Sequence, residues 1–587
     1  MNKRPNRLNR IQALFDKGQY SLAAQDIAVA LHDDPNDPEL HLLDAKLNYV
    51  GRRFDHSLNT LNKVVQMLPN SSDAHHLLGV VLSQPSHYQA ERLPAAVKAL
   101  ERAYHLSPND PQICTNLAGL IVKLGNFDTA EPLLIKARKL DPASAKTRNN
   151  LGILYQKQNR HEESVQEFSQ AVMLSPDHIE FRNSLVRAVD YCPSTDPLDD
   201  FKVLKAAGTL IENKAPVLFN NYAKEKECLR IGYLGSTLRK HSVAYFLLPI
   251  IENHSERFEI FSYHIGNLED AMTERISEAS DHYRHLYGQN TESIARTIHQ
   301  DGINILIDLE GFSGLDETLK VLAHSPAPVQ VSYLGWPNST GISRISYRFV
   351  DHFTDPPDSV TDSMYTEQLI RMSKSFAVYS PPTDAPDVIS TPVLRNGHIT
   401  FGSFNWSIKM NQEVIKMWAH VLQAVPDSKL LLKHASFEMK STVDNLFSAF
   451  DAHGIESKRL ILAEFSKTTF DHLSYYHEVD IALDPFPFNG MTTTCEALWM
   501  GVPVVTLSGK KHLSRVGVSL LSNIGYPDWI ADDHDRYIII ATELASEPIK
   551  LNTIRLGLRK KMASSALMDG KNFTAEFEQK LMEIWPT

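Results

Sequence analysis

Proline recurs at Pro35, Pro69, Pro108, Pro142 and Pro176, at spacings of 34, 39, 34 and 34 residues. Small residues keep phase with it. Ala45, Gly79, Ala118 and Gly152 share one position of the period. Ala23, Ser57, Ala96, Ala130 and Ser164 share a second, and Ala30, Ala103, Ala137 and Ala171 a third. A unit of this length cannot bury an apolar face alone and must stack on its neighbours. The first third of the chain is thereby constrained to an α-solenoid of helix pairs. The register gives five repeats over 6–178 and a partial sixth helix pair after Ile179, with five extra residues of the third repeat placed around 84–91.

A 34-residue period is the mark of tetratricopeptide repeats, whose superhelical groove binds extended polypeptide. Asn116 and Asn150 occupy one inner-face position in successive repeats. Their amides either read the backbone of a bound peptide or pair with neighbouring helices, and the sequence leaves both open. The array is expected to be a peptide-binding or self-association surface, which admits a protein acceptor or a homo-oligomer as partner.

The period changes at Leu229. Apolar runs of strand length then alternate with amphipathic helix-length segments, the pattern of parallel sheets. One set of runs is 229–234, 258–263, 303–309, 329–334 and 347–350; the other is 399–404, 429–432, 459–462, 479–483 and 502–507. A Pro-rich linker, 380–392, separates them. The expected organisation is a repeat superhelix over 1–190, a helical linker over 191–227, and two Rossmann-like domains over 228–395 and 396–587. A final helix around 575–585 is expected to fold back across the hinge.

Composition narrows the class. The 587 residues are 43% hydrophobic and 22% charged, with a net charge of −11, which weighs against a nucleic-acid partner. The basic start has no following apolar segment, and no run approaches the roughly 20 apolar residues that cross a bilayer. Cys114, Cys192, Cys228 and Cys495 are scattered without metal spacing, so reduced thiols in a cytoplasm are expected.

The stretch Asp484-Pro-Phe-Pro-Phe-Asn-Gly-Met-Thr-Thr-Thr-Cys-Glu496 carries the chemistry. It reads as a strand end, a loop broken by Pro485, Pro487, Asn489 and Gly490, and a helix opening with three threonines. Thr493 and Glu496 have capping-box spacing. A helix that opens at the end of a parallel strand presents N–H groups and a positive dipole end to phosphate oxygens.

The chain resembles the O-GlcNAc transferase and SPINDLY group of protein glycosyltransferases, particularly its bacterial members. The matching stretches are Leu229-Arg-Ile-Gly-Tyr-Leu-Gly-Ser-Thr-Leu-Arg-Lys-His-Ser-Val243, Asp301-Gly-Ile-Asn-Ile-Leu-Ile-Asp-Leu-Glu-Gly311, Pro326-Ala-Pro-Val-Gln-Val-Ser-Tyr-Leu-Gly-Trp-Pro337, Phe401-Gly-Ser-Phe-Asn-Trp-Ser-Ile-Lys409 and the run from Asp484 to Thr506. The resemblance implies a GT-B fold, a nucleotide-sugar donor and inverting, metal-independent transfer to Ser or Thr hydroxyls. UDP-GlcNAc is the expected donor and no further cofactor is implied. A close variant uses GDP-fucose or UDP-glucose, or an Asn acceptor; another reading is a scaffold with a degenerate cleft.

The same resemblance assigns roles. Lys409 would neutralise the departing diphosphate, with Thr492 and Thr493 donating to it and Asn489, Gly490 and Met491 in the same donor-binding loop. Glu496 either holds the ribose hydroxyls or completes the capping box. His472 either stacks on the base or is a surface histidine. His241 faces the sugar and acceptor, as general base or hydrogen-bond donor. Asp301 joins that face or caps the turn before the third strand. Arg515 reaches the cleft or pairs structurally. Trp406, Met491, Asn304 and Phe312 depart from the residues relatives often carry there. Asp533-His-Asp535 is read as surface, and no metal is implied.

Overall fold

The computed structural model describes residues 3–84, 92–219, 228–314 and 317–586. The extra residues expected around 84–91 fall, from 85 onward, outside that set. Helix pairs follow the repeat: Lys3–Asp16 with Tyr20–Asp33, Pro38–Val50 with Phe54–Met67, Ser72–Leu82 with Leu93–Leu106, Pro111–Lys123 with Phe127–Leu140, and Ala145–Lys157 with His161–Leu174. Two residues past a periodic proline stands a cap. Asp37 accepts from the Glu39 and Leu40 N–H groups, Asp110 from those of Gln112 and Ile113, and Ser71 from that of Ala74. Such caps contribute ~1 kcal/mol each. The small residues are where helices touch. Ala23, Ser57, Ala96, Ala130 and Ser164 are fully buried, and a Cβ on Gly79 would lie 2.6 Å from Leu100 Cγ.

The chain divides into two compact units, Met1–Leu154 and Tyr155–Thr587. The helices Ile179–Tyr191 and Pro197–Lys214, expected as the end of the array and a linker, thus belong with the sheets rather than the repeats. Apolar contact is the reason. Val186, Leu204, Ala207 and Ile211 share a core with Leu234, Phe261, Ile298 and Leu322.

Seven parallel strands form the first sheet: β1 (Leu229–Gly235), β2 (Phe258–His264), β3 (His282–His285), β4 (Ile305–Asp308), β5 (Val329–Ser332), β6 (Tyr347–Asp351) and β7 (Gln368–Met372), in the order β3-β2-β1-β4-β5-β6-β7. Six more form the second: β8 (Thr400–Ser403), β9 (Lys429–Lys433), β10 (Leu460–Ala463), β11 (Ile481–Leu483), β12 (Val504–Leu507) and β13 (Ile530–Ala531), in the order β10-β9-β8-β11-β12-β13. Each is a Rossmann-like lobe whose strand order reverses beside its first strand, at β1/β4 and β8/β11. Ligands of such sheets bind at the carboxyl ends of those strands. Sequence pattern missed β3, β7 and β13. The sequence of β3, His-Tyr-Arg-His, has no apolar run, and β13 is two residues long.

The lobes meet through side chains. His512 Nδ1 lies 2.6 Å from Asp355 Oδ2, and Arg515 Nε donates to the Phe353 carbonyl at 2.8 Å. The last helix, Gly570–Ile584, returns to the first sheet. Phe577 stacks on Phe349 with centroids 4.3 Å apart, and Glu578 accepts from the Ser255 N–H at 2.7 Å.

A Cβ on Gly208 would sit 2.3 Å from the Gly341 carbonyl carbon and oxygen, which are backbone and cannot turn aside. Gly208→Ala is therefore expected to lower the thermal unfolding midpoint through overpacking, at ~1–3 kcal/mol. Gly557→Ala, in an open helix position with nothing within 4 Å, is expected to raise it, at ~0.5–1 kcal/mol of added stability. Equal shifts in thermal melts would contradict this packing.

Candidate functional site

The second sheet builds its site around Asp484, which follows β11 and is buried. One carboxylate oxygen accepts from the Gly490 N–H at 2.7 Å and the other from the Thr506 hydroxyl at 2.7 Å. The first bond folds the loop back so that the helix Thr492–Trp499 starts over the end of β8 and β11. Gly490 has no room for a side chain: its Cβ would lie 2.4 Å from Thr493 Oγ1 and 2.9 Å from Asn405 Oδ1. Asn489 fixes the loop's other side, donating its amide to the Pro485 carbonyl at 3.0 Å and accepting from the Gly517 N–H at 3.3 Å.

Lys409 arrives from β8. Its loop is held by a short 3₁₀ turn, Ser407–Lys409, and its Nζ donates to the Asn489 carbonyl at 2.8 Å. The same ammonium stands 4.3 Å from the centroid of Phe488, a cation–π contact. Burial pushes its pKa down, opposed by the charge of Asp484. Burial pushes Asp484 up, opposed by the Gly490 N–H, the Thr506 hydroxyl and Lys409. An ammonium and a helix start thus flank one switch point, where both favour an incoming anion.

The expected capping box does not form. The helix begins at Thr492 with Met491 as its cap, so Thr493 is its second residue and cannot cap it. Thr493 instead donates its hydroxyl to Asn405 Oδ1 at 3.1 Å. Glu496 accepts at Oε2 within 3.1 Å of His472 Nε2, and His472 Nδ1 lies 2.9 Å from Lys433 Nζ. The threonine, glutamate, histidine and lysine positions named for the donor therefore converge on the β8/β11 crevice. Lys433, Asn405, Phe488 and Asp484 were not assigned roles from sequence. The signal for Lys433 was present: a charged residue closes the apolar run of β9 at its carboxyl end.

The first lobe's switch point also carries a buried carboxylate. Glu310, beyond β4, accepts from the Ser236 N–H at 2.6 Å and the Ser236 hydroxyl at 2.8 Å. It lies past the fourth strand, as the buried Asp484 does in the other lobe. His241 lies beyond β1, before the helix Ala244–Ile251. Burial, with Arg239 nearby, lowers its pKa to about 4, so the imidazole is neutral at ordinary pH.

Asp301 is corrected to a structural role. Its carbonyl accepts from Arg230, the second residue of β1, at 2.7 Å, so it stands at the amino edge of the sheet. Its carboxylate takes Arg284 at 2.6 and 2.8 Å and the Tyr263 hydroxyl at 2.8 Å. Arg515 directs its guanidinium to Phe353, Ser508 and Gly509. Asn304 and Phe312 are core residues: Asn304 accepts from the Arg230 N–H at 2.9 Å, and Phe312 packs on Trp336. In the repeats, Asn116 lies within 2.6 Å of both His76 Nε2 and Lys146 Nζ, and Asn150 donates to the Thr115 carbonyl at 3.3 Å. Asp533 caps the following helix by accepting from the Arg536 N–H at 2.7 Å.

Comparison with known proteins agrees with this architecture. The profile of glycosyl transferase family 41 matches residues 204–381 and 390–577. Tetratricopeptide repeat profiles match 87–138 and 117–179. The chain is 36% identical over 375 residues to a probable UDP-N-acetylglucosamine–peptide N-acetylglucosaminyltransferase SPINDLY of Petunia hybrida, covering 62% of this chain and 40% of that protein. It is 22% identical over 476 residues to the UDP-N-acetylglucosamine–peptide N-acetylglucosaminyltransferase of Caenorhabditis elegans, covering 61% of this chain and 41% of that protein. The chain therefore spans about 40% of the length of the curated relatives it matches. Among solved structures, a mutant of Thermobaculum terrenum O-GlcNAc transferase superposes with a TM-score of 0.76 at 31% identity, covering 88% of this chain and 98% of that one. The two lobes are accordingly a GT-B fold.

Asp484→Ala would leave the Gly490 N–H and the Thr506 hydroxyl without their partner and remove the charge that opposes the burial of Lys409. Each buried polar group so orphaned costs ~1–3 kcal/mol, so the denaturant midpoint is expected to fall markedly. Asp484→Asn keeps an acceptor for Gly490 and is expected to fall less. Equal midpoints for the two variants would contradict the assigned hydrogen bonds.

Proposed function

The chain belongs to glycosyl transferase family 41, and from that membership we propose that it transfers a sugar from a nucleoside diphosphate donor to protein hydroxyls. UDP-GlcNAc is the proposed donor, and the repeats hold the protein acceptor. The observation that carries the reading is the pairing of Lys409 with the start of helix Thr492–Trp499 at the carboxyl ends of β8 and β11. The activities that the relatives' names give support the choice of sugar and acceptor.

In the proposed step, a Ser or Thr hydroxyl of the acceptor attacks the anomeric carbon and passes its proton to a phosphate oxygen of the departing diphosphate. The bond from that carbon to the β-phosphate oxygen breaks, with inversion. Negative charge then grows on the departing diphosphate. Lys409, the N–H groups opening the helix, and the Thr492 and Thr493 hydroxyls are arranged to absorb it, so the mechanism assigns neutralisation to the chain itself. Preorganised donors of this kind act where charge develops and supply the larger part of such catalysis. His241, kept neutral with a pKa of about 4 and accepting the Val243 N–H at Nδ1, is a weak base and serves better as a hydrogen-bond donor through Nε2 than as a proton store. Glu496 and His472 are proposed to hold the ribose and the base.

Purified protein incubated with UDP-GlcNAc, UDP-glucose or GDP-fucose and a cell lysate tests the assignment. Sugar on protein with release of UDP from UDP-GlcNAc is the expected result; release of GDP alone would overturn it. Lys409→Ala is expected to cut kcat by roughly 10²–10³, the usual effect of losing one charge-stabilising donor, with circular dichroism unchanged.

The pH dependence follows from the direction of the Lys409 shift. Burial lowers its pKa, and the ammonium exists only below that pKa. The kcat/KM profile should therefore lose activity on the alkaline side below the ordinary lysine value of about 10.4. Asp484 holds the lysine pKa up, so Asp484→Asn should move that limb to lower pH. An unmoved limb would remove Lys409 as its source.

A further inference from the structure

We infer that Lys433 is a positioning residue: it fixes which nitrogen of His472 carries the proton, and thereby orients the ring that faces the donor's base. The inference rests on the reading of the β8/β11 crevice as the nucleotide site. Lys433 ends β9 and is nearly buried, with 6% of its surface exposed. Its Nζ lies 2.9 Å from His472 Nδ1, and His472 Nε2 lies 3.1 Å from Glu496 Oε2.

The chemistry of the three groups allows one direction. An ammonium has three donors and no acceptor; an ionised carboxylate accepts only. His472 Nδ1 must therefore present its lone pair to Lys433, and Nε2 must hold the proton it gives to Glu496. A proton on Nδ1 would face an ammonium donor at hydrogen-bond distance. The relay Lys433 to His472 to Glu496 thus selects the neutral Nε2–H tautomer and leaves the ring no freedom to flip, because a flip breaks both bonds.

Neighbouring rings hold the plane. Phe404 meets His472 at 62° with centroids 6.0 Å apart, and Tyr476 meets it at 85° and 6.3 Å. Lys433 is itself placed by the ring of Tyr475, 5.3 Å from its Nζ. Burial lowers the Lys433 pKa and Glu496 opposes that shift, so the acidic end of the relay helps keep its basic end charged. Second partners of this type commonly set the tautomer and orientation of a functional histidine.

The test has two arms on the full-length protein. The first is ¹⁵N–¹H correlation spectroscopy of histidine-labelled protein without ligand, with the signal assigned by His472→Gln. The wild type should show His472 protonated at Nε2 alone, and Lys433→Met should show a mixture of tautomers. A mixed or Nδ1–H state in the wild type, or an unchanged state in the variant, would overturn the inference. The second arm is kinetic. Lys433→Met should raise KM for UDP-GlcNAc about tenfold with kcat within twofold, an effect of ~1.4 kcal/mol. Lys433→Arg, which restores a donor, should recover most of it. A fall in kcat at constant KM, or no recovery with arginine, would overturn it. If no nucleotide sugar is turned over, the proposed function fails, and the spectroscopic arm alone decides the role of Lys433.

Discussion

A carboxylate buried at the end of a parallel strand is unfavourable unless donors surround it. Asp484 meets that condition with a loop N–H, a strand hydroxyl and a nearby ammonium. Each partner is also a part of the site. The Gly490 N–H belongs to the loop that starts the helix, and the ammonium is Lys409. Satisfying one buried charge therefore sets the turn, the helix start and the lysine together. The loop and helix-start geometry follows from the protein's need to solvate Asp484 from within.

The two lobes show how little of function lies in topology. Both place a crevice between their first and fourth strands in sequence order, β1/β4 and β8/β11. In one, a carboxylate beyond the fourth strand is tied to Ser236, and the crevice ends in Glu310. In the other, it ends in Lys409 and a helix start. Both crevices hold a buried carboxylate past the fourth strand; in the second, the Lys409 ammonium accompanies it.

Much of this was legible in the sequence because it depends on local rules. The repeat period located the helix pairs, since proline, cap and small residue recur together. Ten of the strands announced themselves as apolar runs, and the loop from Asp484 to Thr494 carried its glycine, prolines and threonines in reading order. What escaped depends on distance. The spacing of Thr493 and Glu496 matched a capping box, but the Asp484–Gly490 bond folds the loop so that the helix starts at Thr492, ahead of where that box requires. Asp301 matched a family position, yet Arg230 and Arg284, from other strands, claim it at the sheet's amino edge. Lys433 and His472 are 39 residues apart, and only the adjacency of β9 to β8 brings them to one crevice.

The helices that precede the sheets also shape the lysine. Tyr191, at the end of Ile179–Tyr191, lies against Phe488 with centroids 5.2 Å apart, and buried His161 stacks behind Tyr191 at 6.1 Å. Phe488 is the ring whose face receives the Lys409 ammonium. The same helix pair is anchored to both lobes: Asn338 donates to Asp190 at 3.0 Å, and Lys511 donates to Asp200 at 2.8 Å. Burial raises Asp190 to about 7, with Lys511 opposing, so this anchor places a costly acidic group inside the joint. These polar bonds add direction to the apolar contacts of Val186, Leu204, Ala207 and Ile211. The helix pair thus touches both lobes and, through Tyr191, forms the wall behind Phe488.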